Sequence, residues 1–312
     1  MRPMLATAGT QPVGSNWSHE VKWDGWRVLA DVSNSRLRLY SRAGRDITAS
    51  YPELEQLGAA LPDGMLDGEI IVLRDGRPSF EALAERVHVN DRAKALELVD
   101  RLPVSVMAFD LLRLAGTELI DRPWSYRRAA LEDLELADGW RCSPIYTDGP
   151  ALRAATIDQG LEGVVAKRIT ASYQPGRRSP DWIKTANRKH QACLVGGWRQ
   201  QQGTSAVRIG GLLVGVPATG PDGKPELRFA GRVGSGITGA TERELRRLLE
   251  PLRRVDSPFA DQLPAVDAAG AVWCDPQVVV EVRYLTWTGR MRQPVFRGLR
   301  PDLLPAEVRD ER

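Results

Sequence analysis

Lys22 stands just ahead of an Asp-Gly turn in the run EVKWDGWR, residues 20–27. A lysine so placed is a candidate nucleophile. It attacks only when its ammonium is partly deprotonated, which takes desolvation or a neighbouring cation. Lysines are scarce: of 43 basic residues six are lysines, Lys22, Lys94, Lys167, Lys184, Lys189 and Lys224, and the remaining 37 are arginines. Each lysine is therefore the more informative. Lys167 and Lys184 fall in the short runs EGVVAKR (162–168) and DWIK (181–184). Glu69, in LDGE, and Glu162, in EGVVAKR, carry carboxylates of the kind a hard divalent cation takes together with water and substrate oxygens.

The elements that position these residues are read from periodicity and turn chemistry. Apolar and polar residues alternate over residues 19–42, with a hairpin turn at Ser33, Asn34 and Ser35. A second hairpin turns at Arg74-Asp75-Gly76. Helices are expected over 52–60, 80–87 with Ser79 as its cap, 126–134 and 152–159, and strands over 102–114, 162–168 and 181–185. Past residue 188 the texture changes to short β-rich runs with glycine corners and one helix over 241–254, the pattern of a small OB-type barrel. The expectation is an α+β fold: residues 1–189 form one domain of antiparallel sheets flanked by helices, and 190–312 the barrel. The boundary falls within 187–191. Gly234, Gly236 and Gly239 fit GxGxxG, but about 70 residues remain after them, too few for a doubly wound sheet. They read as a barrel corner.

Composition limits the alternatives. No apolar run approaches the roughly 18 residues needed to span a bilayer, and residues 1–14 do not read as a signal peptide. Cys142, Cys193 and Cys274 form no CxxC pair, which implies reduced thiols, a cytoplasmic setting and no four-cysteine zinc module. Charge is uneven. Residues 1–189 carry 26 basic and 26 acidic side chains and 190–312 carry 17 and 14, so the whole net charge of +3 lies in the last part. Arg283, Arg290, Arg292, Arg297 and Arg300 fall in eighteen residues without an acid, interleaved with Trp287 and Phe296. Such guanidinium groups suit salt-dependent, sequence-independent contacts to phosphates.

In order along the chain stand KWDG (22–25), SRAGRD (41–46), LDGE (66–69), FDLL (109–112), EGVVAKR, DWIK and RQPVFRGLRPD (292–302). This series resembles the ordered motifs of ATP-dependent DNA ligases, and is most similar to the small bacterial forms, including the ligase module of bacterial end-joining enzymes. The resemblance implies a nucleotidyltransferase (adenylation) domain followed by an OB-fold domain. It implies that Lys22 attacks the α-phosphorus of ATP, forming a lysine–AMP intermediate for sealing a nick between a 3′-hydroxyl and a 5′-phosphate in duplex DNA. Glu20 would then accept from the adenine amino group, and Phe109 would stack on the base. Arg27 and Arg42 would hold ribose or phosphate. Glu69 and Glu162 would serve Mg²⁺ or Mn²⁺, Lys167 and Lys184 would neutralise charge at the α-phosphate, and Asp24 would assist the later steps. FDLL reads equally well as plain core.

Two positions depart from the family pattern. Lys184-Thr185-Ala186 lacks the second lysine of Lys-x-Lys, so that Lys167, Arg188 or Lys189 must substitute for it, or adenylation slows. Arg300-Pro301-Asp302-Leu303 lacks the final lysine of Arg-x-Asp-Lys. The alternatives in the same superfamily are an RNA ligase or a GTP-using capping enzyme, and outside catalysis a binding module that kept the fold. The absent zinc cysteines disfavour an NAD-dependent ligase. With 21 residues ahead of Lys22, no large N-terminal DNA-binding domain is expected, and the grip on nicks should be weak and salt-sensitive. The expected partners are nicked DNA and repair or end-joining proteins, with no membrane and a monomeric chain.

Overall fold

The computed structural model describes residues 1–201 and 208–311, and the chain divides into two compact units, Met1–Asn187 and Arg188–Arg312. The first unit is α+β. One sheet has five strands in the order Leu5–Ala8, Arg178–Ala186, Gly163–Arg168, Trp17–Val21 and Ile145–Tyr146, antiparallel except for the first pair. The other is built on Arg36–Ser41, Trp26–Ser33, Met65–Arg74 and Val104–Leu114 in antiparallel order. Between the two lies an apolar layer of Met4, Leu29, Met65, Phe109, Leu112, Tyr173 and Trp182. Helices Phe80–Val87 and Trp124–Glu132 contribute Leu83 and Leu131 to the core on the far side of the second sheet. Leu152 of helix Gly149–Asp158 packs on Val21 and Val164 of the first sheet.

Local chemistry explains the corners. Asn34 and Ser35 adopt φ 52° and 57°, and Asp75 and Gly76 adopt 51° and 74°, which are the left-handed pairs that tight hairpins require. Ser79 caps its helix by accepting from the Ala82 N–H at 3.2 Å. Gly25 has no alternative: a Cβ there would lie 2.1 Å from the Ile70 carbonyl oxygen. Only glycine lets the chain leave Lys22 and enter the second sheet so close to the strand that bears Glu69.

Two expectations of local structure are corrected. Residues 52–60 form a 3₁₀ turn, Pro52–Leu54, and a separate four-residue helix, Leu57–Ala60, the N–H groups of Glu55, Gly58 and Ala59 donating three residues back to Pro52, Glu55 and Gln56 instead of four. The helix expected over 241–254 is Gly239–Leu249, ending in a 3₁₀ turn that contains Pro251. Helix Arg92–Val99 was not foreseen, although Asp91 caps it on the N–H groups of Ala93 and Lys94.

The second unit is a barrel. Strand Lys189–Gln200 pairs with Ile209–Thr219 on one side and with Ala271–Cys274 and Val279–Tyr284 on the other. Pro225–Val233 and Val295–Leu299 continue the two edges. Ser235 closes the ring against Val295, with the Phe296 N–H donating to the Ser235 carbonyl at 2.9 Å. Leu245 and Leu249 of helix Gly239–Leu249 join Trp198, Val214 and Val280 in the core. Gly236 sits at this closure with φ +87°, its would-be Cβ 2.3 Å from the Phe296 carbonyl, so the GxGxxG run serves the barrel corner.

Candidate active site

Strand alternation gathers the site. Glu20 pairs with Val165 and Val165 with Lys184, while Ser18 pairs with Lys167 and Lys167 with Trp182. Paired residues share a face, and residues two apart along a strand return to it. Glu20, Lys167, Trp182 and Lys184 therefore project together, with Lys22 following Glu20 at the strand end. A cavity in this unit is lined by Glu20, Lys22, Arg27, Arg42, Glu69, Phe109, Lys167 and Lys184, joined by Trp23, Arg178 and Trp182. Glu162 stands at the lysine itself, its carboxylate in contact with Lys22 Nζ. Asp24 is not among the lining residues.

One end of the cavity is rigid and nearly closed to water. Lys167 Nζ lies 2.6 Å from Glu20 Oε1, donates to the Phe109 carbonyl at 3.0 Å and sits 4.4 and 4.6 Å from the ring centres of Phe109 and Trp182. Burial raises the Glu20 carboxyl above its ordinary range, opposed by Lys167, and lowers the Lys167 ammonium, opposed by Glu20. Arg27 lies over the Phe109 ring at 4.5 Å and makes a bidentate pair with Asp67, both bonds 2.6 Å. Asp67 also accepts from the Tyr173 hydroxyl at 2.6 Å, and that hydroxyl accepts the Met4 N–H at 2.9 Å. Beside Phe109, the fully buried pair Asp110–Arg127 (2.7 and 2.8 Å) ties the strand to the carbonyls of Arg122 and Ala171. Phe109 is thus both core and cavity wall.

The other end is cationic. Burial lowers the Lys184 ammonium, and the nearby Lys22 and Arg178 lower it further. Burial pushes the Glu69 carboxyl up to about 7; Glu162 adds to the rise, while Arg27 and Lys22 oppose it. The strand register sets Arg27 directly opposite Glu69. Lys167 is paired with Glu20, and the cavity-lining cations near Lys184 are Lys22, Arg178 and Arg42.

Two family models match the chain: the ATP dependent DNA ligase domain over residues 3–185 and the ATP dependent DNA ligase C terminal region over residues 205–303. The chain belongs to the ATP-dependent DNA ligase family. It is 42% identical over 316 residues to the multifunctional non-homologous end joining DNA repair protein LigD of Mycobacterium tuberculosis, matching 99% of this chain but 39% of that protein. It is 32% identical to DNA ligase C1 of Mycolicibacterium smegmatis, over 98% of this chain and 91% of the relative. Among solved structures, the ligase domain of M. tuberculosis LigD is 40% identical with a TM-score of 0.56, covering 99% of this chain and 98% of that one. A mycobacterial DNA ligase D complexed with ATP and MES matches at 40% identity and a TM-score of 0.57, again over 99% and 98%.

In this chain the C-terminal arginines are less free than their sequence suggests. Arg300 bonds Glu281 at 2.7 Å and both oxygens of Asp302 at 2.8–3.1 Å. Arg290 stands 4.0 Å from Asp267. The run without acids in sequence therefore meets three acids in space. Arg297 is exposed on its strand, while Arg283 and Arg292 are half-buried. Sequence reasoning missed Asp67, Tyr173, Arg178 and Trp182. Asp67 had a usable signal: it lies two residues before Glu69 on the same strand, so the two share a face.

Proposed function

We propose that this chain is an ATP-dependent DNA ligase whose Lys22 forms a covalent bond to AMP and which seals nicks in duplex DNA. The observation that carries the reading is Lys22 Nζ against Glu162 in a cavity with one closed aromatic end and one cationic end. The adenine enters the closed end, where Glu20 reads its amino group and Phe109 offers its ring. Arg27, rigidly held by Asp67, and Arg42 contact ribose and phosphate. Lys184 and Arg178 neutralise the triphosphate. The Lys22 amine attacks the α-phosphorus, a nitrogen–phosphorus bond forms, and the α–β bridge breaks to release pyrophosphate. AMP then passes to the 5′-phosphate of the nick, Asp24 assisting, and the 3′-hydroxyl displaces it.

Glu69 and Glu162 are the residues that would hold Mg²⁺ or Mn²⁺. They fit by the chemistry of the donor set: both are carboxylates, the hard oxygen ligands that such a cation takes, Glu69 lining the cavity and Glu162 standing at Lys22. When bound, the cation withdraws charge from the reacting phosphate.

Likeness to the end-joining proteins supports double-strand-break repair as the setting, with other repair proteins as partners. The chain spans 39% of the length of those relatives. Among the described residues no helix is long and apolar enough to cross a membrane, and the free Cys142, Cys193 and Cys274 support the cytoplasm. The test is incubation with magnesium and α-labelled ATP or GTP, beside Lys22→Ala. Denaturation-resistant label from ATP, absent in the variant, is expected. Label from GTP would move the assignment to a capping enzyme, and no label on AMP-free protein would end the catalytic reading.

A further inference from the structure

Glu162 touches the nucleophile, and its backbone is held by a residue with no part in the cavity. Asn187, the last residue of the first unit, donates its backbone N–H to the Glu162 carbonyl at 2.8 Å. Its side-chain Nδ2 donates to the Leu161 carbonyl at 3.1 Å and to Thr156 Oγ1 at 3.0 Å. The orientation of the amide is settled by chemistry. A carbonyl only accepts, and the Thr156 hydroxyl already spends its proton on the Arg153 carbonyl at 2.8 Å, so both partners require the NH₂ group.

The next residue completes the stitching. The Gly163 carbonyl accepts the Lys22 N–H at 2.8 Å, and Gly163 has φ +143° with a would-be Cβ 2.2 Å from the Thr185 carbonyl. Three consecutive carbonyls, of Leu161, Glu162 and Gly163, are therefore pinned, two by Asn187 and one by Lys22. Between them the Glu162 side chain reaches the Lys22 amine while itself nearly buried.

We propose that Asn187 is a positioning residue for catalysis: it fixes the 161–162 backbone so that the Glu162 carboxylate meets Lys22. Loss of its side-chain donors frees that backbone and misaligns the carboxylate. ATP binding is expected to stay intact, since the hydrogen bonds of Asn187 go to Thr156, Leu161 and Glu162, none of which lines the cavity. The inference rests on Lys22 being the adenylated nucleophile.

The test uses the full chain with Asn187→Ala and the isosteric Asn187→Asp, which keeps size and the backbone bond but removes the Nδ2 donor. Single-turnover lysine–AMP formation, ATP affinity measured without metal, and melting temperature are compared with wild type. Both variants are expected to adenylate at least tenfold more slowly and to need more magnesium for half-maximal rate, with ATP affinity within twofold and melting within a few degrees. Unchanged adenylation in Asn187→Asp would overturn the proposal. So would a parallel loss of affinity, melting temperature and rate, which marks a purely structural residue. If Asn187→Ala fails to fold, Asn187→Asp decides alone. Absence of label in wild type would instead defeat the reading of Lys22, so the two failures are distinguishable.

Discussion

Replacing Lys167 by methionine leaves Glu20 buried without its cation, and the cost can be worked out from the site. Both side chains are almost wholly inside, at 2% and 3% exposure. An unpaired buried carboxylate costs several kcal/mol, and breaking such pairs typically costs about 3–5 kcal/mol. Taking up a proton is a cheaper outcome. Against an ordinary carboxyl value of 4.5, holding Glu20 protonated at pH 7 costs about 2.5 × 1.36, or roughly 3 kcal/mol. Burial already raises Glu20, and without Lys167 the main opposing cation is gone. The sign follows: a carboxyl raised in the folded variant keeps a proton that the unfolded chain has released, so the variant's stability falls as pH rises above the ordinary carboxyl range. A further loss of about 1 kcal/mol, independent of pH, comes from the orphaned Phe109 carbonyl. Urea unfolding of wild type, Lys167→Met and the double variant Glu20→Gln/Lys167→Met at pH 5, 6 and 7 measures this. The single variant should approach wild type at pH 5 and diverge from it by pH 7, with most of the loss recovered in the double variant. A deficit that is the same at every pH, or a double variant as weak as the single one at pH 7, would refute the reasoning.

Glu69→Gln should behave in the opposite sense for stability. With its carboxyl held at about 7 against 4.5, ionised Glu69 destabilises the nucleotide-free fold above that pH by on the order of 2–3 kcal/mol, allowing for its partial exposure. The cost is absent below pH 4.5 and grows as pH rises to 7, so the variant should melt above wild type at pH 8 and level with it at pH 4.5, while losing adenylation; parallel melting curves across pH would sink the idea. In the barrel, Arg297→Gln should weaken nick binding and lower the salt slope of log affinity by about one. Arg300→Gln should leave the slope nearly unchanged because Glu281 and Asp302 already neutralise it. Fluorescence anisotropy on a nicked duplex over several salt concentrations checks both, and an equal drop in slope for Arg300 would show that its acid pairs open on DNA.

What was legible in sequence followed from short-range physics. The short runs EVKWDGWR, EGVVAKR and DWIK marked Glu20, Lys167 and Lys184, and turn residues marked the hairpins around the second sheet. Ser79 and Gly236 did as their residue types require. What was not legible depends on distant segments meeting. The clamp on Arg27 joins Asp67, Tyr173 and Met4, whose separations exceed 100 residues in part, and no local pattern encodes it. The pairing of Arg300 with Glu281 is of the same kind, since register across a barrel decides it. Arg178, which lines the cavity, stands at the start of the strand that ends at Ala186, six residues before Lys184 and outside the motif. The Arg92–Val99 helix escaped for a different reason: its apolar residues form no clear stripe, and only Asp91 announces it.

The scarcity of lysine has a practical use. Three of the six, Lys22, Lys167 and Lys184, line the cavity, which leaves Lys94, Lys189 and Lys224 as background for any reagent that acylates side-chain amines. Mass-spectrometric footprinting with such a reagent would therefore read the occupancy of the site from a handful of peptides. Lys184, half-buried with its ammonium lowered, should be the most reactive of the three, and Lys167 should be shielded until the fold opens.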